Sequence, residues 1–229
     1  MSTQRLATLF VGAALLVTAA VPAHAALITF SDRALFNVAA PGLTVETFET
    51  GLVNAAGITV CNGPLSSNAA SACFASGTLA PGITYTALPG ASIVLLGAGF
   101  PSAGNTSTVL GPNAFADSLN LTFTSANAAG LDVFAGPLVG NVLLSVFSPG
   151  NVLLGSFTIL APLGGTFFGV LSDAGPLGRL NISSQTAQPG ELVDNVAFGT
   201  ASSTVPEPAS IVLLSIGLSA GLAVRRGRR

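Results

Sequence analysis

Leu119-Asn120-Leu121-Thr122-Phe123-Thr124 alternates apolar and polar residues without a break. Successive side chains of a strand point to opposite faces, so this hexapeptide can bury one face and wet the other. Leu180-Asn181-Ile182-Ser183 repeats the pattern. Short apolar runs recur along the chain roughly every 8–15 residues, separated by Gly, Pro, Asn and Ser clusters. Helices of ordinary length have no room in such spacing. It predicts a mainly β fold, an antiparallel β-sandwich or jelly roll.

Two runs read as a hairpin. Val142 to Phe147 and Val152 to Phe157 lie in near copies, GNVLLSVF and GNVLLGSF. Both are apolar on both faces, which predicts central strands. Ser148-Pro149-Gly150-Asn151 between them places Pro then Gly at the centre of a turn, as type II prefers. Two copies make a hairpin; a solenoid needs at least about three. One short helix is predicted near the start. Ser31 can cap it, Asp32 suits its positive end, and Leu35, Phe36 and Ala39 form its apolar face. Pro41-Gly42 stops it.

The ends of the chain are different in kind. Arg5, the apolar run Leu6 to Val21 and Ala23-His24-Ala25 make a secretory signal over residues 1–25, with cleavage after Ala25. A sandwich domain is expected over 26–204, and a separate tail over 205–229. The apolar runs at the two termini are expected to form hydrophobic helical segments.

Charge narrows the function of the body. The chain has no lysine, and five of its seven arginines sit at the two ends. Between Ala26 and Thr204 only Arg33 and Arg179 remain, against the eight acids Asp32, Glu46, Glu49, Asp117, Asp132, Asp173, Glu191 and Asp194. Nucleic-acid binding needs basic density, so no nucleic-acid partner is expected. The one histidine, His24, leaves with the signal, and the body has no Trp and one tyrosine, Tyr85. Catalytic triads, Cys–His pairs, Schiff-base lysines and histidine metal sites lack their residues. The expectation is that the protein is not an enzyme. Gly97-Ala98-Gly99 lacks the third glycine and following helix of a dinucleotide loop. Three Asn-x-Ser/Thr triplets, at Asn105, Asn120 and Asn181, read as chance in a chain so rich in these residues.

Cys61 and Cys73 are the only cysteines. In an exported protein an isolated pair is expected to form a disulfide. Two thiols without a histidine make a poor zinc shell.

The tail joins Val205-Pro206-Glu207-Pro208 to the apolar run Ala209–Val224 and to Arg225, Arg226, Arg228 and Arg229. The run is short for a bilayer, and the arginines are held on the cytoplasmic side by the positive-inside rule. This three-part order resembles the PEP-CTERM sorting signal of Gram-negative bacteria, also labelled an ice-binding-protein C-terminal motif. The body shows no flat ranks of Thr that would give the second label its literal meaning. The resemblance implies an exosortase-type membrane sorting enzyme as partner and a transient stay in the inner membrane. It further implies removal of the tail, a final place at the cell surface or outside the cell, and association with exopolysaccharide. The body is similar, more loosely, to the globular part of such proteins in its Ile-Thr-Phe start, its Glu46-Thr47-Phe48-Glu49 element and its closing strand Glu191 to Phe198.

Pairing of first and last strands is common in jelly rolls and would bring Glu46 or Glu49 near Asp194 and Asn195. Carboxylates with a side-chain amide are the hard oxygen ligands calcium takes. Structural calcium on Glu46, Glu49, Asp194 and Asn195 therefore stands beside the plainer reading of solvated carboxylates at strand ends; no other cofactor is expected. The leading expectation is a non-enzymatic envelope or extracellular-matrix protein. The alternative is a calcium-dependent carbohydrate-binding or adhesive module, and a glycan hydrolase with paired carboxylates comes third.

Overall fold

The computed structural model describes residues 27–173, 175–185 and 190–201. The signal over 1–25, both terminal hydrophobic segments and the tail over 205–229 lie outside the described residues. Among the described residues no helix is long and apolar enough to cross a membrane.

Fourteen strands and one helix follow in the order β1 (Leu27–Phe30), α1 (Arg33–Ala39), β2 (Thr44–Glu46), β3 (Ile58–Asn62), β4 (Leu65–Ser66), β5 (Ile83–Leu88), β6 (Ser92–Leu96), β7 (Val109–Pro112), β8 (Ser118–Ala126), β9 (Ala128–Gly136), β10 (Gly140–Phe147), β11 (Leu153–Ala161), β12 (Thr166–Ser172), β13 (Leu177–Ser184) and β14 (Gly190–Gly199). The first sheet runs β1-β12-β9-β14-β7-β6-β3, with β2 also paired to β14. The second runs β11-β10-β13-β8-β5-β4. Every pairing is antiparallel. Leu131, Val133, Val170 and Val193 of the first sheet share one buried cluster with Leu119, Leu121, Leu144 and Ile182 of the second. That shared core makes the two sheets a sandwich. Each such side chain contributes about 1.5–3 kcal/mol by leaving water.

The alternation of β8 is realised: Leu119, Leu121 and Phe123 point into the core, while Thr122 and Thr124 are exposed. The predicted hairpin is β10–β11, but two details differ. Positive φ falls on Asn151 (59°), not on Gly150. Asn151 N–H donates to Ser148 O at 2.9 Å. This is a type I turn followed by a left-handed residue, which suits the twist of a three-residue hairpin loop. Nor is β11 central. It is the edge of its sheet, with Leu153 and Leu160 exposed. An apolar run becomes a central strand only if a further strand pairs with it, and here β13 takes the other edge of β10.

Helix α1 is capped by Asp32, not Ser31: its side chain accepts from Leu35 N–H at 2.9 Å. Leu35 is exposed, and the helix docks through Phe36. Ala39 packs partly buried against the cluster around Phe36, and the C-cap residue Ala40 is buried in it. The Phe36 ring lies flat on the outside of the first sheet, where a Cβ at Gly130 or Gly169 would come within 2.7 Å of it. Ala128, Leu171 and Ala197 complete that small outer cluster.

Cys61 of β3 and Cys73 form the expected disulfide, with Cα atoms 5.7 Å apart. Cys73 and its neighbour Phe74 are buried, and Phe74 packs against Phe48. The bridge thus pins the long β4–β5 connection onto the core. Closing a loop of this size stabilises by about 3 kcal/mol through the unfolded state. The double variant Cys61→Ser/Cys73→Ser is expected to melt roughly 6–12 °C lower. Alkylation of exported protein without reductant is expected to modify neither cysteine; near-complete labelling of either would exclude the bridge.

Candidate functional site

The first strand, β1, pairs with β12 and not with the last strand; β2 is the one that pairs with β14, with Glu46 opposite Val196. The pleat and a bulge nevertheless separate Glu46 from Asp194. Residues opposite each other share a face, and Val196 faces the core, so Glu46 does too. Asp194 is opposite Asp132, whose neighbours Leu131 and Val133 are both inward, so this pair faces outward. The register shift between Asp194 and Ala197, with Asn195 at φ 48°, resets the alternation.

Each carboxylate already has partners. Glu46 Oε1 accepts from Phe48 N–H at 2.8 Å and Oε2 from Ala80 N–H at 2.6 Å. These bonds hold Phe48 at φ 59° while its ring packs edge-on to Tyr85, 5.4 Å between centroids. Burial and the Glu46 charge hold the Tyr85 hydroxyl well above its ordinary pKa. Glu49 accepts from Thr108 N–H at 2.8 Å and from Thr108 Oγ1 at 3.3 Å. Next to it, Ser107 Oγ donates to Asp194 Oδ2, and Asn195 N–H donates to Asp194 Oδ1 at 2.6 Å. Asn195 Nδ2 bridges Asp132 at 2.9 Å and Asp194 at 3.2 Å. Arg33 closes the network with an ion pair to Asp132 at 2.9 Å and a bond to Asn195 O at 3.1 Å. Its guanidinium lies over Phe167, 4.5 Å from the centroid.

Burial raises the Asp194 carboxyl to about 6, its hydrogen bonds pull it back, and the neighbouring Asp132 and Glu49 charges push the same way as burial. The network ties α1 to β14, β9 and the β6–β7 connection. Of the four residues expected to share calcium, Glu49, Asp194 and Asn195 come together and Glu46 does not. Among the described residues no three His, Cys, Asp or Glu side chains converge as metal ligands.

Glu191 was not singled out by sequence. It is wholly buried at the start of β14, reaching across the sandwich to Ser184 N–H at 3.1 Å. Burial raises its carboxyl to about 8. On the outside of the first sheet beside it lies an apolar groove of about 380 Å³, lined among others by Ile58, Leu96, Phe100, Pro112, Phe115 and Leu192.

Sequence reasoning also passed over Arg179. It stands on the outer face of the second sheet, its guanidinium 3.9 Å from the centroid of Phe147. Nη1 donates to Asn120 Oδ1 at 2.6 Å and Nη2 to Asn151 Oδ1 at 2.7 Å. The available signal was its rarity, as one of two basic residues in the body.

Among solved structures, a variant of the family 29 carbohydrate-binding module CBM29-2 is similar at 15% identity, covering 66% of this chain and 98% of its own, with a TM-score of 0.35. A family 6 carbohydrate-binding module is similar at 13% identity over 47% of this chain and 81% of its own, TM-score 0.30. The enzymatically active domain of bacteriophage CBA120 tailspike protein 4 is similar at 14% identity over 62% and 19%, TM-score 0.26. At this distance the likeness bears on neither ligand nor activity. No curated protein matches the chain. A family model does match the tail, where Pro-Glu-Pro, the apolar run and the arginines stand in order: residues 204–229 are a PEP-CTERM protein-sorting motif.

Proposed function

We propose that the protein is exported, parked in the inner membrane by its tail and cut near Pro206-Glu207-Pro208 by an exosortase-type enzyme. Its body then serves at the cell surface or beyond as a non-catalytic sandwich associated with exopolysaccharide. The sorting motif over residues 204–229 carries this reading. Two features support it. The disulfide Cys61–Cys73 belongs to an oxidising compartment. The acids Glu46, Glu49 and Asp194 accept bonds from the protein's own N–H and O–H groups, and this suits structural work more than acid–base chemistry.

The test is the intact mass of the protein from cells with and without the sorting enzyme. With the enzyme, the expected mass runs from Ala26 to near Pro206 and includes the disulfide. Without it, the protein is expected in the inner membrane with Arg229 still attached. Identical full-length protein in both strains would overturn the reading.

A further inference from the structure

We propose that the outer face of the second sheet binds a carboxylate-bearing polysaccharide, with Arg179 receiving the uronate group. This rests on the reading of the body as a non-catalytic surface module. Cross-strand register builds the face. Thr86, Asn120, Asn181, Ser145 and Ser156 stand in one row across β5, β8, β13, β10 and β11. Thr84, Thr122, Arg179 and Phe147 stand in the next. Strands lie about 4.8 Å apart, so the five-residue row spans roughly 19 Å, the footprint of a short oligosaccharide. Thr86, Asn181 and Ser156 present hydroxyls and an amide that both donate and accept, with Asn120 and Ser145 buried between them, and this suits a polyhydroxylated chain.

Arg179 adds the anion. Among the described residues the ion pair is Arg33 with Asp132, and Arg179 has no carboxylate partner. It is half-buried, held flat on Phe147 and fixed by Asn120 and Asn151. Those two bonds use two of five N–H donors, and the guanidinium is held as a rigid fork that matches a carboxylate. Beneath it Asn120 is 1% exposed, and its Nδ2 has no hydrogen-bond partner among the described residues. Arg179 Nη1 and Asn181 Nδ2 both donate to Asn120 Oδ1, and this turns the unpartnered amide donor the other way. A half-buried, rigidly held cation without an anion, on a face of hydroxyls and amides, is an incomplete site for an acidic, oxygen-rich ligand. No acid stands in either row. The acids elsewhere on the body oppose such a ligand, but over more than about 10 Å salt screens them.

The experiment uses protein purified from cells that export it, titrated calorimetrically with a polygalacturonate hexamer, a neutral glucan hexamer and sulfated dextran at low and at physiological salt. The hexauronate is expected to bind at physiological salt, where the body's own acids are screened, and the neutral glucan at least tenfold more weakly. Arg179→Gln is expected to weaken hexauronate binding tenfold or more and leave the glucan unaffected. Should that variant fold poorly, Thr122→Glu sets an anion opposite Arg179 without touching the Phe147 stack, and the same loss is expected. Equal binding of the two hexamers, equal binding of sulfated dextran, or wild-type affinity in Arg179→Gln or a well-folded Thr122→Glu overturns the proposal. Hexauronate binding by protein that keeps Arg229 would leave this site standing while the sorting reading fails. Loss of binding in correctly cut protein would do the reverse.

Discussion

Raising the pH from 5 to 9 is expected to destabilise the protein by on the order of 4 kcal/mol, and Glu191→Gln is expected to remove most of that loss. Glu191 is fully buried, and burial is the largest influence on it, lifting its carboxyl from 4.5 to about 8. The Ser184 N–H pulls in the opposite direction and the Asp117 charge adds to the rise. The sign follows from proton counting. Between about pH 4.5 and 8 the unfolded chain has released this proton while the native state keeps it, so stability falls as pH rises through that window. It is fully present below the unfolded value and lost once the native carboxyl ionises. Asp194 acts in the same direction between about 4 and 6. Urea unfolding at fixed pH values reads the effect. There are no free cysteines among the described residues to reshuffle at high pH. A flat profile in the wild type, or an unchanged slope in Glu191→Gln, would contradict the assignment. Glu191 reaches from one sheet to the end of the other, so ionisation loads the joint between them.

The sandwich was legible because its signal is local. Period-two alternation in β8 and the hairpin turn after Phe147 depend on neighbours in sequence. What sequence did not reveal depends on neighbours across strands. Asn120 is polar and faces outward, yet Arg179 and Asn181 close over it. The apolar β11 reads as central and lies at the edge, because strand order is fixed by pairings that a run's own composition does not encode. The calcium expectation met the same limit. The first strand pairs with β12 and not with the last; β2 takes that place beside β14, and a one-residue bulge at Asn195 decides which side chains share a face. Glu46 therefore points to the side of the sheet opposite Asp194. Ser31 lost the cap to Asp32 by a single position, within the usual uncertainty of a helix start. Glu191 carried no sequence signal at all: a carboxylate in an alternating strand looks solvated until both sheets are in place.

Deleting Arg225 to Arg229 is expected to misplace the protein, whereas Glu207→Ala is expected to leave it in the inner membrane with the tail uncut. The two variants separate two physical roles within one motif. Ala209–Val224 has about 16 residues against the roughly 20 that a spanning helix needs, so on its own it holds a membrane position weakly. Four arginines directly after it are expected to supply what length does not, because moving them across the bilayer is costly and the positive-inside rule would hold them on the cytoplasmic side. Without them the run has no stop, and the protein is expected in the periplasmic or culture fraction with an unprocessed end. Pro206 and Pro208 act on the other side of the run. A proline fixes φ and lacks a backbone donor, so the pair is expected to disfavour helix around Glu207 and to suit the extended form a cleavage site must accept. Glu207 is the one charge there, so its loss is expected to block recognition and not membrane insertion. Fractionation followed by intact mass distinguishes the cases. If Glu207→Ala is cut like the wild type, recognition does not read that carboxylate. If the arginine deletion still sorts and is cut normally, the apolar run suffices alone and the two roles are not divided in this way.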